Sequence, residues 1–271
     1  GNVFKTRLLS GIVLVIIALV TIISGGYLLW GTLFLVSLIG LTELYRAVGV
    51  QEKGFSLLAL TGALGVASYY LLLLFGLEAY SMMDMIFILI VLLAVYVFSY
   101  PKYHADQVMA AFFGVIYVSV LLSYIYLTRN LKGGAFLVWL IFLCSWGCDT
   151  CAYCVGILIG KHKMAPVLSP KKSIEGAVGG VVGAALLGLL YALAAGKFFP
   201  EFDHSPAVYA LICAVGALIS MVGDLAASGI KRNHNIKDYG KLIPGHGGIL
   251  DRFDSVIFTA PVIYFLAIAL L

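Results

Sequence analysis

The densest polar cluster in the sequence is residues 241–255, KLIPGHGGILDRFDS. It sets Pro244, three glycines, His246, Asp251, Arg252 and Asp254 directly before the apolar run VIFTAPVIYFLAIALL. Asp251, Asp254 and Ser255 share one face of a helix that begins there. Upstream, in SMVGDLAASGIKR, Ser220, Asp224 and Ser228 recur every four residues, and Lys231 extends the same face. Two carboxylate faces supply the hard oxygen ligands that hold Mg²⁺. Lys231, Arg232, Lys237, Lys241 and Arg252 stand beside them, and Lys or Arg with exposed backbone N–H groups holds phosphate. The combination points to metal-assisted chemistry on a polyphosphate, with Asp224, Asp251 and Asp254 as candidate metal ligands.

Glycine lets backbone approach a polyanion closely, and Gly247-Gly248 leads into a helix start, whose dipole favours negative charge. The earlier stretch SPKKSIEG has the same logic: Ser169, Lys171, Lys172 and Ser173 are expected to form a second anion-binding helix start. Glu175 is left open between a lysine partner and the metal shell. His162, His204 and His234 read as ordinary loop histidines. Cys144, Cys148, Cys151 and Cys154 have spacing resembling part of an iron–sulfur run. They lie inside an apolar segment, where cysteine serves as a small packing residue, and that is the expectation here.

These residues need elements to position them. The chain has 271 residues, 62% hydrophobic and 11% charged, with mean hydropathy +1.07. Soluble domains carry about 25% charged residues, so this composition excludes an ordinary soluble enzyme. Apolar runs between polar breaks predict an all-α polytopic integral membrane protein of about nine transmembrane helices. The spans are roughly 8–24, 26–42, 56–76, 83–99, 107–127, 135–160, 174–195, 206–227 and 250–271. The first is read as a spanning helix, not a cleaved signal. No strand alternation or internal repeat stands out. With the N-terminus cytoplasmic, fourteen of the seventeen Lys and Arg fall on the cytoplasmic side, leaving only Arg129, Lys132 and Lys197 outside. Nearly all the chemistry lies after residue 130. The predicted division is therefore 1–130, with helices 1–5, and 131–271, a catalytic region of helices 6–9 with two basic cytoplasmic loops.

Asp149 then stands out. It lies about eleven residues from the cytoplasmic end of its span, or roughly 16 Å at 1.5 Å per residue. A carboxylate near mid-membrane costs at least a few kcal/mol, so Asp149 is expected to line a wet cavity and meet substrate.

The run Ser228-x2-Lys231-Arg232-x4-Lys237-Asp238-x5-Pro244-Gly245-His246-Gly247-Gly248-x2-Asp251-Arg252-x-Asp254 resembles the signature of the phosphatidate cytidylyltransferases, also called CDP-diacylglycerol synthases. DTCAYCVGILIGKHKMAPVLSPKKSIEG resembles that family's second block, so the likeness covers about residues 145–255. Two positions depart from it: Ala227 stands where many members have Glu, and Cys148 where many have a polar residue.

The resemblance implies transfer of CMP from CTP to phosphatidic acid, giving CDP-diacylglycerol and pyrophosphate, with Mg²⁺ required and room for a second cation. Asp224, Asp251, Lys231 and Arg232 become the expected catalytic groups. Asp149, Lys171, Lys172, Ser173, Ser228, Lys237, Asp238, His246, Gly247, Gly248 and Arg252 become the expected substrate contacts. The expected setting is a bacterial-type inner (plasma) membrane, with the site facing the cytoplasm. The bilayer is then a partner, nucleic acid is not, and a homodimer is left open. A CTP-dependent lipid-alcohol kinase is the rival enzyme. A transporter using Asp149 and Asp224 as ion sites is the rival from another class, but it would not need two basic, glycine-rich loops.

Overall fold

The computed structural model describes residues 1–271. Nine helices are long and apolar enough to cross a membrane. They are α1 (Asn2–Ser24), α2 (Gly26–Val48), α3 (Leu57–Leu74), α4 (Ser81–Phe98), α5 (Ala105–Arg129), α6 (Gly134–Ile159), α7 (Ile174–Phe198), α8 (Pro206–Asn233) and α9 (Ile249–Leu270). This is the expected all-α polytopic membrane architecture. In a bilayer each backbone polar group must find its partner within the protein, and a helix supplies that partner locally. α5 contains a π-helical stretch, Val115–Val120. The sequence reading missed a short antiparallel hairpin, β1 (Lys163–Ala165) with β2 (Ser169–Ser173). It is too short for its alternation to register.

The chain divides into two compact units. The first comprises Gly1–Tyr126 with His234–Arg252, and the second Leu127–Asn233 with Phe253–Leu271. The segment His234–Arg252, grouped from sequence with the C-terminal region, belongs to the unit of α1–α5.

Large tyrosines seated on glycines organise the first unit. Tyr45 is 2% exposed, and its hydroxyl donates to the Ala111 carbonyl at 2.7 Å. Gly62 and Gly114 make room for it: a Cβ at Gly62 would lie 2.1 Å from its hydroxyl, and one at Gly114 2.8 Å from its ring. Buried Tyr69 and Tyr70 pair with Ser123 at 2.6 Å and Ser37 at 2.8 Å. Each of these tyrosine hydroxyls thus has a partner where no water can serve.

The second unit is built on a ridge of small residues. Gly176, Gly180, Ala184, Gly188 and Ala192 recur every four positions on the buried face of α7. Such ridges let membrane helices approach closely. A Cβ at Gly180 would lie 2.9 Å from Cys148 Sγ, at Gly183 2.5 Å from Cys151 Sγ, and at Gly188 2.7 Å from Cys213 Sγ. These cysteines are packing residues fitted against glycine. On α8, Gly216 meets Cys144 and Gly223 meets Phe258.

Candidate active site

In the second unit, a cavity of about 490 Å³ opens among α6, α7, α8 and the hairpin. Asp149, Tyr153, Lys171, Lys172, Ser173 and Asp224 are among its lining residues. Lys172 sits at the centre of the charge. Its ammonium forms an ion pair with Asp224. Asp149 and Asp254 attract it, and Lys231 lies near enough to repel it. Burial pulls the Lys172 ammonium below the usual lysine range, and the two aspartates oppose that pull. Asp149 and Asp254 also repel each other. Ser255 Oγ donates to Asp149 Oδ2 at 3.4 Å, and the Ser255 amide donates to Asp254 Oδ1 at 2.7 Å.

Local sequence explains this convergence. Lys172 is on β2, which aims it back from the hairpin. Ser173 caps α7, its hydroxyl accepting from the Gly176 amide at 3.1 Å. The stretch Ser169–Ser173 is therefore strand, and only Ser173 stands at the helix start, not the whole SPKK run. Glu175 in the first turn of α7 pairs with His162, Oε1 to Nδ1 at 2.5 Å, and accepts from the His162 amide. That bond ties the hairpin to α7; the partner of Glu175 is a histidine, which neither alternative had named. His204 likewise has a structural partner, the Tyr209 hydroxyl at 2.9 Å. Ser228 and Lys231 are half-buried on the last turns of α8, and Arg232 beside them is exposed.

The carboxylates gathered in this unit are thus Asp149, Asp224 and Asp254. No three acidic, His or Cys side chains converge closely enough to cage a metal ion alone. Carboxylate oxygens are the ligand type that Mg²⁺ takes, usually one or two of them together with substrate phosphates and waters.

The first unit holds the remaining predicted residues. Asp251 is in the first turn of α9, and its Oδ2 accepts from the Gly248 and Tyr239 amides, both at 2.9 Å. The bond to Gly248 is the reach-back of a capping acid. Glu43 on α2 accepts from the next two amides: Ile249 N to Oε2 at 3.0 Å and Leu250 N to Oε1 at 2.9 Å. The helix start expected to cradle a phosphate therefore already binds the protein's own carboxylates. Gly245 and Gly247 take φ of 79° and 82°, in the left-handed region that glycine tolerates. At Gly247 a Cβ would also lie 2.8 Å from Asp251 Oδ2. Arg7 on α1 donates to the Gly245 carbonyl at 3.1 Å. His246 is held below the usual histidine range, first by burial and then by the Arg252 and Arg7 charges. Arg46, Lys237, Asp238, Tyr239 and Lys241 border a separate cavity of about 600 Å³.

Sequence reasoning missed Glu43. Its signal was an acid at the end of LFLVSLIGLTELYRAV, one residue beyond the predicted end of span two at 42. α2 continues to Val48, which puts Glu43 on the buried face beside Leu44.

A family profile described as "Cytidylyltransferase family" matches residues 5–270. A Staphylococcus saprophyticus protein named phosphatidate cytidylyltransferase is 34% identical over 269 residues, covering 97% of this chain and 99% of that relative. Proteins of the same name from Bacillus subtilis and Staphylococcus aureus are each 32% identical; the alignment covers 97% of this chain in both cases, and 97% and 99% of the relatives respectively.

Proposed function

The chain belongs to the cytidylyltransferase family, and we propose that it transfers CMP from CTP to phosphatidic acid, releasing pyrophosphate and forming CDP-diacylglycerol. The observation that carries the reading is the Lys172-centred cluster beside the cavity of the second unit: Lys172 on the hairpin, with three aspartates and Lys231 on helices long and apolar enough to cross a bilayer. Charge at that depth is costly without a function. One substrate is a lipid and the other a soluble polyanion, so a cavity cut into membrane helices suits both.

The reaction needs no enzyme nucleophile. An ionised phosphate oxygen of phosphatidic acid forms the new bond to the α-phosphorus of CTP, and the bond to the bridging oxygen breaks with its electron pair, releasing pyrophosphate. The work left to the protein is positioning and charge neutralisation. Lys172 and Lys231 are suited to the phosphate oxygens, and Lys171 stands at the rim of the cavity. Asp224 and Asp254 would hold Mg²⁺ together with substrate phosphates, which it would neutralise when bound, and Asp149 on the cavity wall would meet substrate. The ion pair of Lys172 with Asp224 keeps the lysine beside the cavity. The basic loops that follow α6 and α8 lie on one side of the membrane by alternation of the spans, and the excess of Lys and Arg there makes that side cytoplasmic. With bacterial relatives, that membrane is the plasma membrane.

The test uses purified protein, phosphatidic acid, Mg²⁺ and CTP labelled at either the α- or the γ-phosphate. Lipid-extractable label from α-labelled CTP alone is the expected result. Label carried from the γ-position would make the protein a lipid kinase instead.

A further inference from the structure

Glu43 is 2% exposed on a helix that crosses the membrane. A carboxylate there needs a reason, because burying one without partners is costly. Its partners are specific. Each carboxylate oxygen accepts one amide, Ile249 N at 3.0 Å and Leu250 N at 2.9 Å. Both belong to the first turn of α9, where a helix leaves its N–H groups unsatisfied and its dipole favours an anion.

The chain closes tightly around this acid. A Cβ at Gly240 would lie 2.5 Å from Glu43 Oε2, and one at Gly248 2.3 Å from the same oxygen. Leu250 packs on Gly40, one helical turn before Glu43, where a Cβ would lie 3.3 Å from it. Glu43 therefore touches the segment 239–251 near both ends. Asp251 makes the second closure, joining Tyr239 N to Gly248 N through one oxygen. A lipid-facing helix has no use for this arrangement. Its effect is to hold a glycine-rich loop, in which Gly245 and Gly247 are intrinsically free, in one shape.

We infer that Glu43 is a positioning residue for the transfer reaction: it clamps the first turn of α9 and the 239–248 loop so that Asp251, His246 and Arg252 keep one arrangement. The inference rests on the reading that segment 237–252 serves that reaction. Glu43 touches no substrate and acts through the loop it holds. Glu43→Gln keeps the shape, but turns an NH₂ group toward one of the two amides, so one bond is replaced by a donor facing a donor.

The experiment uses the full-length protein in detergent micelles. Hydrogen–deuterium exchange is followed by mass spectrometry, thermal unfolding gives the folded fraction, and initial rates are measured against CTP and Mg²⁺. In Glu43→Gln, exchange over residues 239–251 should rise about tenfold, the loss of one to two hydrogen bonds. Peptides of α6–α8 should keep their parent rates. Turnover per folded molecule should fall at least tenfold, with a raised half-saturation for CTP or Mg²⁺, and Glu43→Asp should recover part of both effects. Gly240→Ala should impair the parent protein but have a smaller effect in a Glu43→Ala background, because the clash is with Glu43 itself. If Glu43→Gln does not fold, Glu43→Asp and the Gly240 pair carry the test. Unchanged exchange over 239–251 overturns the clamp. A rate loss equal to the loss of folded protein, with unchanged half-saturation, overturns the positioning role, as does faster exchange with parent turnover. A parent protein that makes no CDP-lipid would sink the functional reading, and the exchange data would still decide whether the clamp exists.

Discussion

Replacing Lys172 by Met removes a cation from among Asp149, Asp224 and Asp254 while keeping the length of the stem. Two separable losses are expected. Breaking a fully buried ion pair costs about 3–5 kcal/mol. Lys172 and Asp224 are 29% and 20% exposed, so screening brings the stability loss to about 1–3 kcal/mol. The catalytic loss is that of a charged group aimed at phosphate oxygens, about 3–4 kcal/mol, or on the order of 10²–10³ in rate. A second substitution, Asp224→Asn, tells them apart. In the double variant Asp224 no longer stands as an unpaired carboxylate, so most of the stability should return, whereas the rate should remain at or below that of Lys172→Met. The assay pairs thermal unfolding in detergent with initial incorporation of α-labelled CTP into lipid, measured from low to saturating Mg²⁺. Added Mg²⁺ should not rescue Lys172→Met, because a metal cannot replace a missing phosphate contact. A Lys172→Met variant with more than a tenth of the parent rate, or a double variant whose rate recovers along with its stability, would refute the reasoning: Lys172 would then be only a structural counter-ion.

Three further outcomes are expected. Asp149→Asn should lower turnover at least tenfold while the protein still inserts and purifies, since it removes charge without changing shape; near-normal turnover would return Asp149 to a structural role. His246 is held below its ordinary value, so the unfolded chain binds more protons between that lowered value and about pH 6.5. Stability should therefore fall as pH drops through this window, and His246→Asn should flatten the dependence; equal slopes in unfolding curves from pH 7.5 to 5 would contradict it. Single cysteines placed in the loop after α6 and in the loop after α8, in a background without the native cysteines, should react with impermeant reagent only from the cytoplasmic side. Labelling of either loop from outside would overturn the nine-span orientation.

Much of the architecture was legible without coordinates, for a physical reason. Spanning a bilayer requires about twenty apolar residues in a row, and that is a property of consecutive residues. The nine spans, the one-sided bias of Lys and Arg and the isolation of Asp149 all follow from local composition. The dense motifs at 169–175 and 228–254 were legible for a similar reason: charge is so scarce in this chain that each acid or base needs an explanation. The hairpin of Lys163–Ala165 with Ser169–Ser173 was not, because eight strand residues leave too little alternation to read.

What only the tertiary structure decided is which charges meet. Lys172 and Asp224 are 52 positions apart in the sequence, and Glu43 is 206 positions from Ile249. No periodicity along the chain encodes such pairings, because they arise when helices pack through glycine and small-residue faces. Sequence suggested that Gly247-Gly248 opens a helix start for a substrate anion. Packing placed Glu43 and Asp251 on those amides instead, because backbone donors away from water must be satisfied by whatever acceptor the fold brings closest. The same packing grouped His234–Arg252 with α1–α5, whereas Lys172, Lys231, Asp149, Asp224 and Asp254 were gathered among the helices that follow. Linear order could name the charged residues, and only the folded chain could sort them into partners.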